Sequence, residues 1–548
     1  MFEDIVLLLQ KRLKIMKKLL VSVLALAFVL QAAAQSKDFE LGKIAETEFA
    51  ILKELSARYV DTIDFEKMLT TGIRAMLSSL DPYTEYYPEE NEEQVELMTT
   101  GNYGGVGSLI KKLPGKAVRL IEPYEGSPAV KAGLQPGDEI VEIDGVPVYD
   151  ETSDQCSAKM KGQPATDVHF RVVKGRTGDT VDVTVTRERI HLSDIAYAGI
   201  IRDSIGYIKL DGFTDKMSVE FREKFVTLKE AGAKRLVIDL RDNGGGVMEE
   251  AVSLVSLFVP KGTLVVSSRG REQDVENKLY TTTAPVDTTI PVMVMISSAS
   301  ASASEITAGA LQDLDRATIA GKRSYGKGLI QTIRPTPYGG KVKLTTGKYY
   351  TPSGRCVQAI DYSHRNEDGS VGFVPDSLKK EFKTLKGRSV YDGGGITPDI
   401  EVEDHNYSRT AYSLVYVDIP GDYAIEYFKK YESIPAPADF HLSDAEYEDF
   451  VAYAAQREFD SRSAAQTALD VLIKAAKQDN LYDLYKAEIE ALAAKVNMDK
   501  QTILRAQKEE ILPLVEAEIV EKFYFNSQSN VITLRHDIQL DAALDQWK

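Results

Sequence analysis

The sequence predicts a multidomain α+β protein, and three observations carry that expectation. The chain has 548 residues, which at roughly 100–200 residues per domain makes three or four domains. Residues 100–190 hold short β-rich runs (VRLIEP, EIVEID, VHFRVV, DVTVTRE) between Gly- and Pro-containing turns. Residues 193–405 alternate strand and helix patterns, while residues 37–95 and those from about 410 onward are helical. A hydrophobic content of 43% is that of a globular protein with ample chain for a core.

Residues 1–34 read as a leader. From Met16, Lys17 and Lys18 form a basic start, Leu19 to Leu30 an apolar run, and Ala32-Ala33-Ala34 a small-residue cleavage site before Gln35. Translation is expected to begin at Met16. The mature protein is expected to be exported and periplasmic, or membrane-associated if the leader stays uncut, although the run is short for a span. Residues 35–97 are expected to form a small helical domain: Phe39, Ile44, Phe49, Ile51, Leu52 and Leu55 recur at helical spacing, as do Met68, Ile73, Met76 and Leu77. Its expected role is packing, and Asp81-Pro82 ends its helical pattern.

Residues 98–190 form the β-rich module. The stretch YGGVGSLI (103–110) is a Gly-rich turn entering a strand, and SPAVKAGLQPGDEIVEIDGVPV (127–148) follows it. Such a turn can gather backbone N–H groups around a carboxylate beside an open strand edge; an ordinary glycine hairpin fits the spacing equally well. Residues 191–408 are the α/β domain. Residues 409–548 are mostly helical and charged, with no fixed-period repeat.

The net charge of −17 excludes nucleic acid as the main partner, because phosphate binding needs clustered Lys and Arg. Cys156 and Cys356 lack metal-ligand spacing, so no zinc site can be assembled from them.

Two stretches of the α/β domain carry chemistry. In RLVIDLRDNGGGVMEEA (235–251) a buried strand leads through three glycines into a helix, which suits an oxyanion hole or a phosphate. In VMVMISSASASASE (292–305) an apolar strand meets a helix at a Ser/Ala turn, where a helix N-terminus favours developing negative charge. A serine nucleophile needs a base, yet no histidine lies within 205–350. Lys327, between two glycines in RSYGKGLIQ, is the alternative. From an ordinary pKa of about 10.4 it must lose roughly three units by burial, equivalent to about 4 kcal/mol.

Residues 103–110 and 127–148 resemble a PDZ domain of the bacterial type, which implies that Gly105, Val106, Gly107 and Ser108 hold a free C-terminal carboxylate. GGG after IDLR, SASASE before a helix, SYGKGLIQ and YYTPSGR, in this order, resemble the carboxyl-terminal processing (tail-specific) proteases over roughly residues 40–405. These are serine/lysine peptidases with an inserted PDZ domain, and their mechanism implies no metal or other cofactor. The resemblance implies a ClpP/crotonase-like core with Ser302 as nucleophile, Lys327 as general base 25 residues later, and Gln331 orienting it. It places the oxyanion donors on Gly245 or Gly246 and on Ala303. Tyr325 stands where that family usually has phenylalanine, Gly244 where it often has proline, and Cys356 where it often has serine. The implied partners are polypeptides with free C-terminal tails, and the C-terminal helical region could dimerise the chain or bind an adaptor. Two rivals fit parts of the sequence: a PDZ scaffold with a degenerate core, opposed by the intact Ser302, Lys327 and Gln331, and an acyl-CoA enzyme of the crotonase type, opposed by the leader and the PDZ-like module.

Overall fold

The computed structural model describes residues 39–547 apart from 114, 203, 272–275, 367 and 404–406; the leader lies outside the described residues. The chain divides into two compact units between Ser79 and Leu80. The first unit has helices at 39–58 and Phe65–Ser78, the second capped by the Asp64 side chain on the Lys67 N–H. Leu77 is buried, but Phe39, Ile44, Phe49 and Ile51 are exposed, so the packing role expected of those four is not met within this unit. Nor does the division fall near residue 97. Residues 80–100 belong to the second unit because Glu85–Tyr87 adds as a strand to Lys341–Tyr350 there.

The centre of the second unit is a six-stranded sheet in the order Ile195–Ile201, Ile205–Leu210, Arg235–Asp239, Val292–Ile296, Ala317–Gly321, Ile400–Glu401. The first pair is antiparallel and the others are parallel. The five residues Val292–Ile296 are all buried, as a strand covered on both faces must be. Val292, Val294 and Ile296 face a core shared with Phe221, Phe225, Leu254, Ile306 and Ala310 of three helices. Met293 and Met295 face the other way, against Leu534, Leu540, Ala543 and Trp547. The last two helices, Asn526–Arg535 and Ile538–Gln546, therefore cover the second face of this sheet, so the residues after 408 share a core with it. A second sheet joins Glu85–Tyr87, Lys341–Tyr350, Leu264–Gly270 and Glu276–Tyr280, with Leu329–Pro335 also paired to Lys341–Tyr350.

The β-rich module has its own core of Val118, Leu120, Ile140, Ile143, Val168, Phe170 and Val172. It rests on the C-terminal helices through Lys111 to Asp418, Arg119 to Asp422 at 2.8 Å, and the Asn526 N–H to Glu122 at 2.7 Å. Among the described residues, no helix is long and apolar enough to cross a membrane.

Candidate active site

The turn after Val292–Ile296 sorts its serines by burial. Ser300 is buried and donates to the Leu240 carbonyl at 2.7 Å. Ser304 is buried and donates to Asn243 Oδ1 at 2.9 Å. Ser297 donates to Asp242 Oδ1 at 3.0 Å. Ser302 stands at the N-terminus of the helix Ala303–Asp313 with φ 56° and ψ −113°. An L-residue holds such a backbone only where the surroundings impose it. It is half-buried. A serine at the first turn of a helix faces N–H groups that have no intrahelical acceptor.

Gly245 imposes part of that geometry. It has φ +94°, and a Cβ there would lie 2.6 Å from the Ala301 carbonyl oxygen, 2.7 Å from Ala303 N and 2.8 Å from Ser302 Cβ. Only glycine lets the two turns touch. Gly246 approaches Phe213 instead. Of the two glycines that the sequence left open, Gly245 borders Ser302 and Ala303. Its own N–H, however, donates to Asn243 Oδ1 at 2.8 Å.

What joins Ser302 to the lysine turn is Glu305, one helical turn on and fully buried. Its Oε2 accepts the Ser302 N–H at 2.9 Å and the Lys327 N–H at 2.8 Å. Its Oε1 accepts the Ser324 hydroxyl at 2.6 Å and the Gly326 N–H at 2.7 Å. One carboxylate thus fixes both turns. Burial pushes its pKa up, and the four donors pull the other way. The sequence reading gave Glu305 no role; the available signal was the Ser-x-x-Glu spacing of a capping box.

Burial pushes the Lys327 ammonium down to about 8, with a smaller push from the nearby Lys343 and opposing pulls from Glu305, Asp81 and Glu85. Lys327 Nζ lies 4.4 Å from the centre of the Tyr83 ring. Among the described residues it makes no ion pair, and no hydrogen bond joins it to Ser302 or to Gln331. Gln331 sits at a bulge in its strand pairing and donates from Nε2 to Thr345 Oγ1 at 3.1 Å. The expected contact from Gln331 to the lysine is therefore replaced by one to Thr345. A cavity of about 510 Å³ is lined by Leu329, Thr345, Cys356, Gln358 and Tyr362 among others.

In the β-rich module, Val106 is buried and Gly107 has φ +73°; a Cβ at Gly107 would lie 2.6 Å from Ser127 Cβ. Val106, Gly107 and Ser108, with Tyr103, Ile110, Ser157, Met160 and Lys161, line a cavity of about 40 Å³. Gly105 is bridged to Lys161 and does not line it. Cys156 and Cys356 are both free thiols. No cluster of three or more His, Cys, Asp or Glu side chains suited to a metal occurs among the described residues.

Comparison with known proteins shows the family. Residues 204–364 match peptidase family S41, 121–174 match the PDZ domain, and 410–546 match a domain described as "Probable PDZ-protease, C-terminal helical domain". A carboxy-terminal-processing protease of Bartonella bacilliformis is 34% identical over 314 residues, covering 57% of this chain and 71% of its own. The chain belongs to the carboxyl-terminal-processing proteases of family S41. A second member, from Synechocystis, is 35% identical over 318 residues, again 57% of this chain and 71% of the relative. Among solved structures, the photosystem II D1 C-terminal processing protease aligns over 65% of this chain and 86% of its own, with 25% identity and a TM-score of 0.34. As a member of this family the protein is a serine-type peptidase with a PDZ domain and a C-terminal helical domain. The matched PDZ stretch, 121–174, begins after the Gly105–Ser108 loop.

Proposed function

We propose that this processing protease cuts polypeptides with a Ser302–Lys327 dyad, selects them by a free C-terminal tail, and works outside the cytoplasm on exported proteins. The observation that carries the dyad is the Glu305 carboxylate, which holds the strained Ser302 backbone and the Lys327 backbone on one oxygen. The lowered lysine supports it, since a base must be neutral to accept a proton. The leader at 16–34 supports export.

In the first step neutral Lys327 Nζ takes the Ser302 hydroxyl proton as Oγ attacks the substrate carbonyl carbon. The C=O π pair moves onto the substrate carbonyl oxygen, and the resulting oxyanion faces the Ala303 N–H at the helix start. Gly245 is the second donor; its N–H must first leave Asn243 Oδ1. Collapse breaks the C–N bond, and the ammonium of Lys327 returns its proton to the leaving amine. Water then attacks the ester, with Lys327 again the base, and Ser302 is restored. The PDZ loop holds the substrate tail, and the small cavity beside it admits a small apolar terminal side chain.

A peptide substrate offered with a free or an amidated C-terminus tests this reading. The free acid is expected to be cleaved with a kcat/KM at least about tenfold higher, because the amide loses a charge-assisted contact. Ser302→Ala is expected to cleave neither. Equal rates on both peptides would remove tail selection, and cleavage by Ser302→Ala would remove the nucleophile assignment.

A further inference from the structure

The stretch Leu80–Tyr87 precedes the PDZ domain in sequence, yet it folds over the lysine. Asp81 is buried and ties the stretch into a turn: Oδ1 accepts the Tyr83 N–H at 2.8 Å and the Thr84 N–H at 2.9 Å. The turn aims Tyr83 at Lys327, whose Nζ lies 4.4 Å from the ring centre. The Tyr83 hydroxyl donates to that of Tyr325 at 3.3 Å and shares a hydrogen bond with that of Tyr362, also at 3.3 Å. The Tyr83 and Tyr362 rings meet edge to face at 5.9 Å. Tyr325 lies two residues before the lysine, so the ring is held by the turn that it covers. Thr84, the next residue, accepts the Thr345 N–H at 3.2 Å. Thr345 Oγ1 in turn accepts from Gln331. One four-residue turn therefore touches both Lys327 and the partner of Gln331.

We propose that Tyr83 is a positioning residue of the general base: its ring, anchored by the Tyr325 and Tyr362 hydroxyls, covers the Lys327 amine and keeps water from it. This rests on the reading of Lys327 as the base. The groups that face the amine are Lys343 on the paired strand, Glu305 on the nucleophile helix, Asp81 and Glu85 on the covering stretch, and the Tyr83 ring itself. Glu85 is paired to Lys343, so much of their charge cancels. What distinguishes this amine from an ordinary surface lysine is its lost hydration, and Tyr83 supplies part of that cover. The ring also attracts an ammonium, which opposes the effect, but this attraction is weaker than the hydration that water would restore.

The test reads the pH dependence of the second-order rate at which a fluorophosphonate probe inactivates the full-length protein. Only the position of the acid limb is used, so a lower folded fraction scales the curve without moving it. In the unmodified protein the rate is expected to rise through about pH 8. Tyr83→Ala is expected to move that limb up by about one unit as water reaches the amine, and Tyr83→Phe to bring it back towards its original place. If the alanine variant does not fold, Tyr83→Gln, which offers the ammonium an oxygen, is read for the same upward shift. A limb that stays in place in the alanine or glutamine variant, while Lys327→Ala is unreactive, overturns the role of Tyr83 and leaves the base standing. A reactive Lys327→Ala overturns the base, and the role of Tyr83 falls with it.

Discussion

Lys327→Ala is expected to lower kcat/KM on a peptide substrate by a factor on the order of 10²–10⁴, the usual worth of a positioned general base. The chain should remain folded, because the lysine side chain is only half-buried and has no ion pair among the described residues. Lys327→Arg is expected to be as inactive as the alanine variant. A guanidinium stays protonated at any working pH and cannot take the Ser302 proton. The unmodified enzyme should lose activity below about pH 8, where the ammonium forms. The sign follows from the chemistry: the neutral amine is the active form, so activity rises with pH through the lysine pKa. Steady-state kinetics between pH 6 and 10 check both statements. An arginine variant with substantial activity would show that the lysine holds charge in the site and does not move a proton.

Glu305→Gln is expected to cost at least about 10² in kcat/KM and a few kcal/mol of stability. The carboxylate accepts four hydrogen bonds, two on each oxygen. Glutamine keeps the shape but offers one oxygen and an NH₂ donor. Whichever way the amide turns, two of the Ser302, Ser324, Gly326 and Lys327 donors face a nitrogen. Each buried donor left unpaired costs about 1–3 kcal/mol. The loss reaches catalysis because the same bonds set the Ser302 backbone, at φ 56°, against the Lys327 turn; a displacement of about 1 Å at a reacting group can cost 10²-fold. Thermal unfolding and kinetics on the same sample separate the two effects. A variant that is destabilised yet has full kcat/KM per folded molecule would limit Glu305 to a structural role.

The strand–turn–helix frame of the candidate site was legible in the sequence because its signals are local. An apolar run ending in a Ser/Ala turn before a helix-periodic stretch is a strand, a bend and a helix, and the structure has Val292–Ile296 followed by Ala303–Asp313. The absence of histidine between 205 and 350 pointed to a lysine without any tertiary knowledge. What escaped were contacts between segments far apart in the chain. Tyr83 lay in a stretch read as a helix break, and nothing in its spacing indicates Lys327, which folding brings to its ring. Trp547 and Leu540 fall in a charged helical region whose periodicity reveals an apolar face but not its partner, here Met293 and Met295. The family resemblance implies that Gln331 orients the lysine, whereas in the structure Gln331, at a strand bulge, donates to Thr345. The exposed Phe39 and Phe49 show the same limit: helical spacing marks an apolar face and does not say what covers it.

The central claim is that Ser302, among the five serines of residues 297–304, is the nucleophile. Treating the folded protein with a fluorophosphonate at pH 9 and locating the adduct by peptide mass spectrometry tests it most directly. The expected result is a single adduct on Ser302, absent from Ser302→Ala. The buried Ser300 and Ser304, each already donating to a neighbouring acceptor, should stay unlabelled. An adduct on another serine of that turn, or labelling that persists in Ser302→Ala, would contradict the account.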